Sequence, residues 1–338
     1  MQNKVIVFSD NQNLTTKCLE KIEKSLLKRG LFDFSFLSCS LYADCVGFCI
    51  DAKNSYDNAI IICDNDNVDK LVEASKTDTD NLTLIQEQAI KLEQTTTYRK
   101  MLFVPIELDT DKFLDELLQS KDVFSCSIFG KSKNFMVSKF EEIKAQKENF
   151  DYKIITNSAF LHIVYYSKFV DESVLVEKFG DGLFATNDKD LVVCCGEILR
   201  RNSLSISICD GLTVGKISEK LSEFDENDKI NISESLIMFG DNSFEKLGIE
   251  KTFLDEHGTV SKETAFVMAK NLLKNAESDL ALVVSGFDCD AGRCFVAVGN
   301  KKEIHVFSSV FYGNRNERME NVSSFALFRL LKFLKEKY

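Results

Sequence analysis

The sequence predicts an α/β protein of more than one domain, and three observations carry that reading. Short β-branched runs alternate with stretches of helical apolar spacing. Apolar residues make up 44% of the chain, enough to build proper cores. The length of 338 residues suggests about two domains at roughly 100–200 residues each.

In order, Lys4–Ser9 is a short β-branched run. Residues 14–29 place Leu14, Cys18, Ile22, Leu26 and Leu27 at helical spacing. A second strand is expected over Phe34–Ser38, and Asn58–Cys63 reads as a buried parallel strand because it is apolar throughout. Helices are expected over Asn67–Ser75 and Leu84–Leu92, with a strand at Lys100–Pro105. From Val123 the pattern changes to a strand (Phe124–Phe129), a helix (Asn134–Lys147) and two strands (Lys153–Asn157, His162–Ser167). Asp188–Asn202 reads as a helix with an acid near its start and Arg200-Arg201 at its end, the order the helix dipole prefers. A strand at Leu204–Cys209, a helix over Thr213–Phe224 and a strand at Leu236–Phe239 follow. The helix Lys262–Asn275, strands at Leu280–Val284 and Cys294–Val298, and a last helix over Met319–Lys335 complete the pattern. There are no internal repeats and no low-complexity segments.

The net charge of −11 argues against DNA, RNA and anionic lipid, which require a basic face. No apolar run approaches the ~18 residues of a membrane span, and the N-terminus reads as a strand rather than a signal peptide. Eleven cysteines without a secretory signal point to reduced thiols in the cytoplasm. Cys45/Cys49 and Cys289/Cys294 are the nearest approach to clusters, and only His162, His257 and His305 could assist them. Small buried hydrophobes are the favoured role for these thiols, and neither a resident metal nor a cofactor is expected.

Residues 256–269, Glu-His-Gly-Thr-Val-Ser-Lys-Glu-Thr-Ala-Phe-Val-Met-Ala, carry a pattern similar to the HG-x-VS-x-E-x-A-x-x-MA stretch of CinA-type domains. Lys246-Leu247-Gly248-Ile249 before it, Ser278–Gly286 after it and Gly313-Asn314-Arg315 ahead of the last helix match further pieces of the same pattern. The region from 188 to 338 therefore resembles the C-terminal domain of the CinA (competence/damage-inducible protein A) family, a nicotinamide-nucleotide amidase. Apart from the resemblance, Ser261 stands where a helix N-cap belongs, with Glu263 in the first turn. His257 reads either as a ligand contact or, preferably, as a loop histidine bonded to backbone.

Amide hydrolysis needs a nucleophile, a base that activates it and donors for the oxyanion. The resemblance implies a serine in a strand-to-helix turn reading A-E-S-C-T-G-G, assisted by a tyrosine and a lysine from a Y-S-N-x-x-K stretch. Aligned without gaps, the turn here reads Cys209-Asp210-Gly211-Leu212-Thr213-Val214-Gly215. The nucleophile position is Gly211, and the tyrosine and lysine positions are Phe239 and Phe244. The family's glycine-rich loop is shortened to Ser285-Gly286-Phe287-Asp288-Cys289-Asp290-Ala291-Gly292. Asp288 and Asp290 would repel a nucleotide phosphate, by ~1–4 kcal/mol per pair at ~4 Å. Cys209, Ser207 and Thr213 are the neighbours that could substitute as nucleophile, with Thr213 favoured as the cap of the next helix.

The preceding part resembles the family more loosely. Phe8-Ser9-Asp10-Asn11 and Cys63-Asp64-Asn65-Asp66-Asn67 stand where MoaB/MogA-type molybdopterin-binding domains carry glycine- and threonine-rich turns. Asp64 and Asp66 could hold a divalent ion, although a solvated turn is favoured. The expected architecture is a shortened three-layer MoaB/MogA-like domain (1–122), a small α+β connecting segment (123–187) and an α/β amidase-like domain (188–338). The expected function is a family member without amidase chemistry, in a binding, scaffold or regulatory role. The alternative is an active divergent amidase that releases ammonia from nicotinamide mononucleotide. A vestigial pocket for such a nucleotide would draw on Asp210, Thr213, Gly215, His257, Ser285, Gly286 and Arg315. The resemblance also implies a homo-oligomer.

Overall fold

The structure, a computed structural model, describes residues 3–9, 12–56, 58–77, 80–85, 89–94, 100–106, 111–114, 122–224, 230–238, 241–286 and 293–338. The chain divides into two compact units. The first comprises Met1–Phe124 with Ile143–Lys153 and Tyr165–Val170; the second comprises Ser125–Glu142, Ile154–Val164 and Asp171–Tyr338.

The first unit is built on β1 (Asn3–Phe8), α1 (Gln12–Lys28), β2 (Phe34–Cys39), α2 (Tyr42–Ser55), β3 (Asn58–Cys63), α3 (Asn65–Ser75), β4 (Asp80–Ile85), β5 (Ala89–Gln94), β6 (Lys100–Pro105) and α4 (Asp111–Leu114). Its six-stranded sheet has the order β2-β1-β3-β6-β5-β4. The apolar β3 is buried along its whole length, parallel to β1 on one side and β6 on the other. Alternate residues point to opposite faces of a strand, which sorts this unit into three layers. Val5, Val7, Ile60, Ile62, Leu102 and Val104 pack with Ile22 and Leu26 of α1, whereas Ile6, Ile61, Met101 and Phe103 pack with Cys45 and Cys49 of α2 and Leu71 of α3.

One element departs from its expectation. Residues 84–85 and 89–92 are strand rather than helix, residues 86–88 lying outside the described residues: β4 and β5 pair antiparallel, Leu82 opposite Leu92 and Leu84 opposite Ile90. Around Lys91 and Glu93 the apolar residues Ile90 and Leu92 alternate with period two, and β6 offers a hydrogen-bonded edge to β5 at Ile90↔Phe103. Strand pairing with β6 overrides helix propensity there. Asp64 and Asp66 flank the start of α3, Asp64 as its N-cap residue.

The chain continues, mostly within the second unit, with β7 (Phe124–Phe129), α5 (Lys133–Gln146), β8 (Tyr152–Ser158), β9 (Leu161–Tyr166), α6 (Glu172–Phe179) and, after a 3-10 turn, β10 (Leu183–Ala185). The four strands form a sheet of order β10-β7-β9-β8. His162 of β9 is fully buried; its Nε2 donates to the Lys131 carbonyl at 2.8 Å, which leaves Nδ1 to accept from Thr156 Oγ1 at 3.1 Å. Burial holds this imidazole below the usual histidine range, with the Lys131 carbonyl opposing and the Lys133 charge adding to the shift.

The chain then runs through α7 (Leu191–Arg201), β11 (Ser205–Asp210), α8 (Lys216–Ser222), β12 (Asn231–Ile237), α9 (Asp241–Lys246), α10 (Lys251–His257), α11 (Lys262–Asn275), β13 (Leu280–Ser285), β14 (Arg293–Asn300), β15 (Ile304–Val310) and α12 (Arg315–Lys337). The five-stranded sheet has the order β12-β11-β13-β14-β15, with β11 parallel to β12 and β13 and the last two strands antiparallel. Ile206, Ile208, Leu282 and Val296 face α7, α8 and α12, whereas Cys209, Ala281, Val283 and Ala297 face α9, α10 and α11. This α/β layering around a mixed sheet brings the end of β11, the end of β13 and the start of α8 to one border.

Candidate functional site

The turn after β11 is organised by one carboxylate. Asp210 is 1% exposed, and its Oδ1 accepts from the backbone N–H groups of Leu212 at 3.0 Å and Thr213 at 2.7 Å. Its Oδ2 accepts from the Gly215 N–H at 2.8 Å and from the Thr213 hydroxyl. An aspartate at a chain reversal can serve in this way because its short side chain reaches backbone donors two and three residues on. These donors, backbone and hydroxyl, are the partners the side chain closes on within the turn.

Glycine is required, or nearly so, at two places in the turn. Gly215 has φ +87° and caps α8, so the expectation that Thr213 caps this helix is corrected. Thr213 lies two residues too early, and its hydroxyl donates to Asp210 instead. Gly211 is in an ordinary region of backbone space, but its surroundings are tight. Its N–H donates to the Val284 carbonyl at 2.8 Å, and a Cβ there would meet the carbonyl oxygens of Val284 and Gly286 at 3.2 Å each. Between them, Val214 adopts φ +54°, a left-handed conformation unfavourable for a β-branched residue.

The hydroxyls and thiols near Gly211 are engaged elsewhere or turned away. Cys209 is fully buried on the α11 side of the sheet, and burial pushes its thiol up to about 12, with Asp210 and Glu234 adding to the effect. Ser207, two residues earlier, is fully buried as well. Ser285 donates to the Thr259 carbonyl at 3.0 Å, tying the end of β13 to the turn between α10 and α11. That turn is knitted further by Thr264, whose hydroxyl donates to the Gly258 carbonyl at 2.6 Å. Ser261 is the N-cap of α11 as its sequence position predicts, accepting from the Thr264 N–H at 3.0 Å.

The structure brings Asp210, Gly211, Thr213, Gly215, Ser285 and Gly286 to one border of the sheet. His257 is the last residue of α10 rather than a loop histidine, and its ring lies 4.4 Å from that of Phe253. The reason is local: Phe253 and His257 are one helical turn apart, so their rings meet at a tilt of 51°. Arg315 is exposed on the first turn of α12, behind the capping box of Asn314 and Glu317. The neighbouring cleft between the starts of α8 and α12 is lined by Lys216, Tyr312, Asn316 and Glu317, without Arg315. Phe244 is a core residue of α9, 2% exposed among Cys209, Met238, Leu247 and Met268. Phe239, Phe287, Asp288, Cys289, Asp290, Ala291 and Gly292 lie outside the described residues, as do Asp10 and Asn11. Among the described residues no group of three or more His, Cys, Asp or Glu could hold a metal ion, and no helix is long and apolar enough to cross a membrane. Sequence reasoning retained Asp210 as an acid but missed its role as the clasp of the turn; its spacing to Leu212, Thr213 and Gly215 was the available signal.

Comparison with known proteins places this border in a wider setting. A family model described as the CinA C-terminal domain matches residues 188–334. A Finegoldia magna protein named as competence-damage inducible is 27% identical over 166 residues, 46% of this chain and 38% of its own length. A CinA-like protein of Endomicrobium trichonymphae is 26% identical over 185 residues, 50% of this chain and 43% of its own length. The chain thus spans about two fifths of the length of these relatives. A crystal structure of a competence or damage-inducible protein from Enterobacter asburiae is 25% identical and covers 43% of this chain and 96% of that one, with a TM-score of 0.40.

Proposed function

We propose, from the premise that residues 188–334 are a CinA C-terminal domain and place the chain in the CinA family, that this domain binds without catalysing amide hydrolysis. The observation that carries the reading is the geometry at Gly211. The position aligned with the family's serine has no side chain, and the space a Cβ would occupy is bounded by two backbone carbonyl oxygens. Among the described residues no neighbour makes good the loss. Cys209 is buried with its thiol held neutral, Thr213 is bonded to Asp210, and Ser285 is bonded to Thr259. An acyl-transfer site requires a nucleophile, its base and oxyanion donors in mutual reach, and among the described residues the first has no candidate. Phe244, expected at the lysine position, supports the same reading because a buried phenyl ring can neither donate nor accept a proton.

A nucleotide of the nicotinamide mononucleotide type remains the ligand to try first, on the strength of the family, and a homo-oligomer is the assembly to expect on the same ground. Residues 1–122 and the connecting segment 123–187 would act as modules distinct from the domain at 188–338. The decisive experiment is an ammonia-release assay on nicotinamide mononucleotide with the purified chain. Turnover at background level is expected. Turnover that vanishes on unfolding, and survives removal of contaminating amidase, would establish the active alternative. In that event, loss of activity in Cys209→Ala would point to the thiol, and unchanged activity would exclude it.

A further inference from the structure

The five-stranded sheet ends in two very different edges. β12 carries Glu234 in mid-strand and a register shift against β11 between Ile206 and Ser207, the kind of irregularity and charge that protects an edge from pairing. β15, Ile304-His305-Val306-Phe307-Ser308-Ser309-Val310, has no carboxylate, lysine, arginine or proline, and pairs with β14 in unbroken register from Gly299↔Ile304 to Arg293↔Val310. Among the described residues no strand pairs with its outer edge, which runs the seven residues of β15.

Beside that edge stands a cation without a counter-charge. The Arg329 guanidinium of α12 lies 4.4 Å over the ring of Phe307 on β15, 5.0 Å from Phe325 and 5.9 Å from Phe328. Among the described residues it makes no ion pair, and its buried Nε has no hydrogen-bond partner. Lys332, one turn further, lies 5.4 Å over Phe328. Desolvation pulls both groups below their ordinary ranges, and for Lys332 repulsion from Lys335 and Arg329 adds to a shift that Asp181 opposes. The nearest acid on the strand's approach, Glu303, is already engaged by His305 at 3.1 Å and Lys337 at 2.7 Å. The buried Nε of this half-buried guanidinium has no acceptor among the described residues, and a carboxylate supplied from outside would give the charge a partner.

We propose that the outer edge of β15, with Phe307 and Arg329, docks an extended acidic segment of a partner protein as a sixth strand of this sheet. Main-chain bonds to the open ladder supply the alignment, and a carboxylate beside Phe307 meets Arg329. Charge selects this occupant over a second copy of the chain. Two β15 edges paired antiparallel would bring two uncompensated Arg329 side chains to the same face without adding an acid. The inference stands whether or not the Asp210 turn is catalytic.

The test uses the full chain and two end-blocked, fluorescein-labelled heptapeptides of alternating threonine and valine, one with a central glutamate and one with a central lysine. Fluorescence polarisation is expected to show the glutamate peptide binding with Kd below about 1 mM and the lysine peptide at least about tenfold weaker. In Arg329→Met, which keeps an unbranched apolar stem over Phe307, the preference for glutamate should disappear. Hydrogen exchange reads the ladder without a mutation: β15 amides should gain protection when the glutamate peptide is present. The proposal is overturned by no binding of the glutamate peptide at about 1 mM, by equal affinity for the two peptides, or by binding that leaves β15 exchange unchanged. It is equally overturned if sedimentation shows a dimer whose formation protects the β15 amides, which would assign this edge to a second copy.

Discussion

Replacing Asp210 by alanine is the most direct test of how the β11–α8 turn is held. The wild-type carboxylate, 1% exposed, satisfies three backbone N–H groups at 2.7–3.0 Å and the Thr213 hydroxyl. Alanine leaves those donors without an acceptor in a place closed to bulk water. Each unsatisfied buried donor costs ~1–3 kcal/mol, and partial entry of water lowers the sum, so a loss of about 3–5 kcal/mol in local stability is expected. Asp210→Asn keeps the shape and one acceptor oxygen but turns an amide N–H toward donors, and should lose about 1–2 kcal/mol. Hydrogen exchange followed by mass spectrometry on peptides covering 205–224 measures this directly. At ~1.4 kcal/mol per factor of ten, the amides of Leu212, Thr213 and Gly215 should exchange at least about 100-fold faster in the alanine variant. Exchange in Asp210→Ala within a factor of about three of wild type, equivalent to under ~1 kcal/mol, would refute the reasoning. Asp210 would then be a spectator, and its carboxylate would be available for other chemistry.

Three further outcomes follow from the same border and from the core of β9. Val214→Gly should stabilise the chain by about 1 kcal/mol, because an L-residue at left-handed φ costs ~1–2 kcal/mol and glycine returns part of that gain as unfolded-state entropy; urea unfolding at a higher midpoint with unchanged slope checks it. Gly211→Ser, which supplies the missing hydroxyl, should lower stability by about 1–2 kcal/mol, since the Val284 carbonyl that already accepts from residue 211 cannot retreat from the new Cβ. It should release no ammonia from nicotinamide mononucleotide, and turnover in this variant would overturn the proposed loss of function. His162 has a folded pKa below the ordinary 6.5, so the native state binds fewer protons than the unfolded state at mildly acid pH. Its stabilising contribution is complete above pH 6.5 and disappears as pH falls through the lower folded value, so His162→Gln should flatten the loss of stability between neutral and mildly acid pH.

How much of this was legible in the sequence depends on how local each feature is. Asn58–Cys63, Lys100–Pro105, Phe124–Phe129 and Lys262–Asn275 are readable to the residue because burial on both faces, or a cap such as Ser261, writes itself into neighbouring positions. Tyr42–Ser55 is harder, since apolar residues occur all round that helix: Cys45 and Cys49 are buried while Leu41, Phe48 and Ile50 are exposed, which removes the periodic signal. The β4–β5 pair is decided by the neighbouring strand β6, which no local window contains. At the site, the absence of a side chain at Gly211 is plain from the sequence once a pattern is laid beside it. That Gly286 and Val284 close over the same point is not, because those carbonyls belong to a strand about seventy residues away.

If the proposed loss of catalysis holds, the turn accounts for how the scaffold would outlast it. Its shape is set by Asp210 closing on Leu212, Thr213 and Gly215, and by Gly211 bonding to Val284. None of these contacts uses a side chain at residue 211. A side chain at that place would make none of these contacts, so the turn keeps its shape without one. The lysine position behaves differently: at Phe244 a phenyl ring joins the apolar cluster beneath α11, where a buried ammonium would have demanded a partner. On the proposed reading, the first change opened the way to the second. Once no nucleophile needed a neighbouring cation, packing alone selected the residue at 244. On that reading a CinA-type scaffold and an amidase reaction would rest on different side chains, so the family match over residues 188–334 does not by itself measure activity.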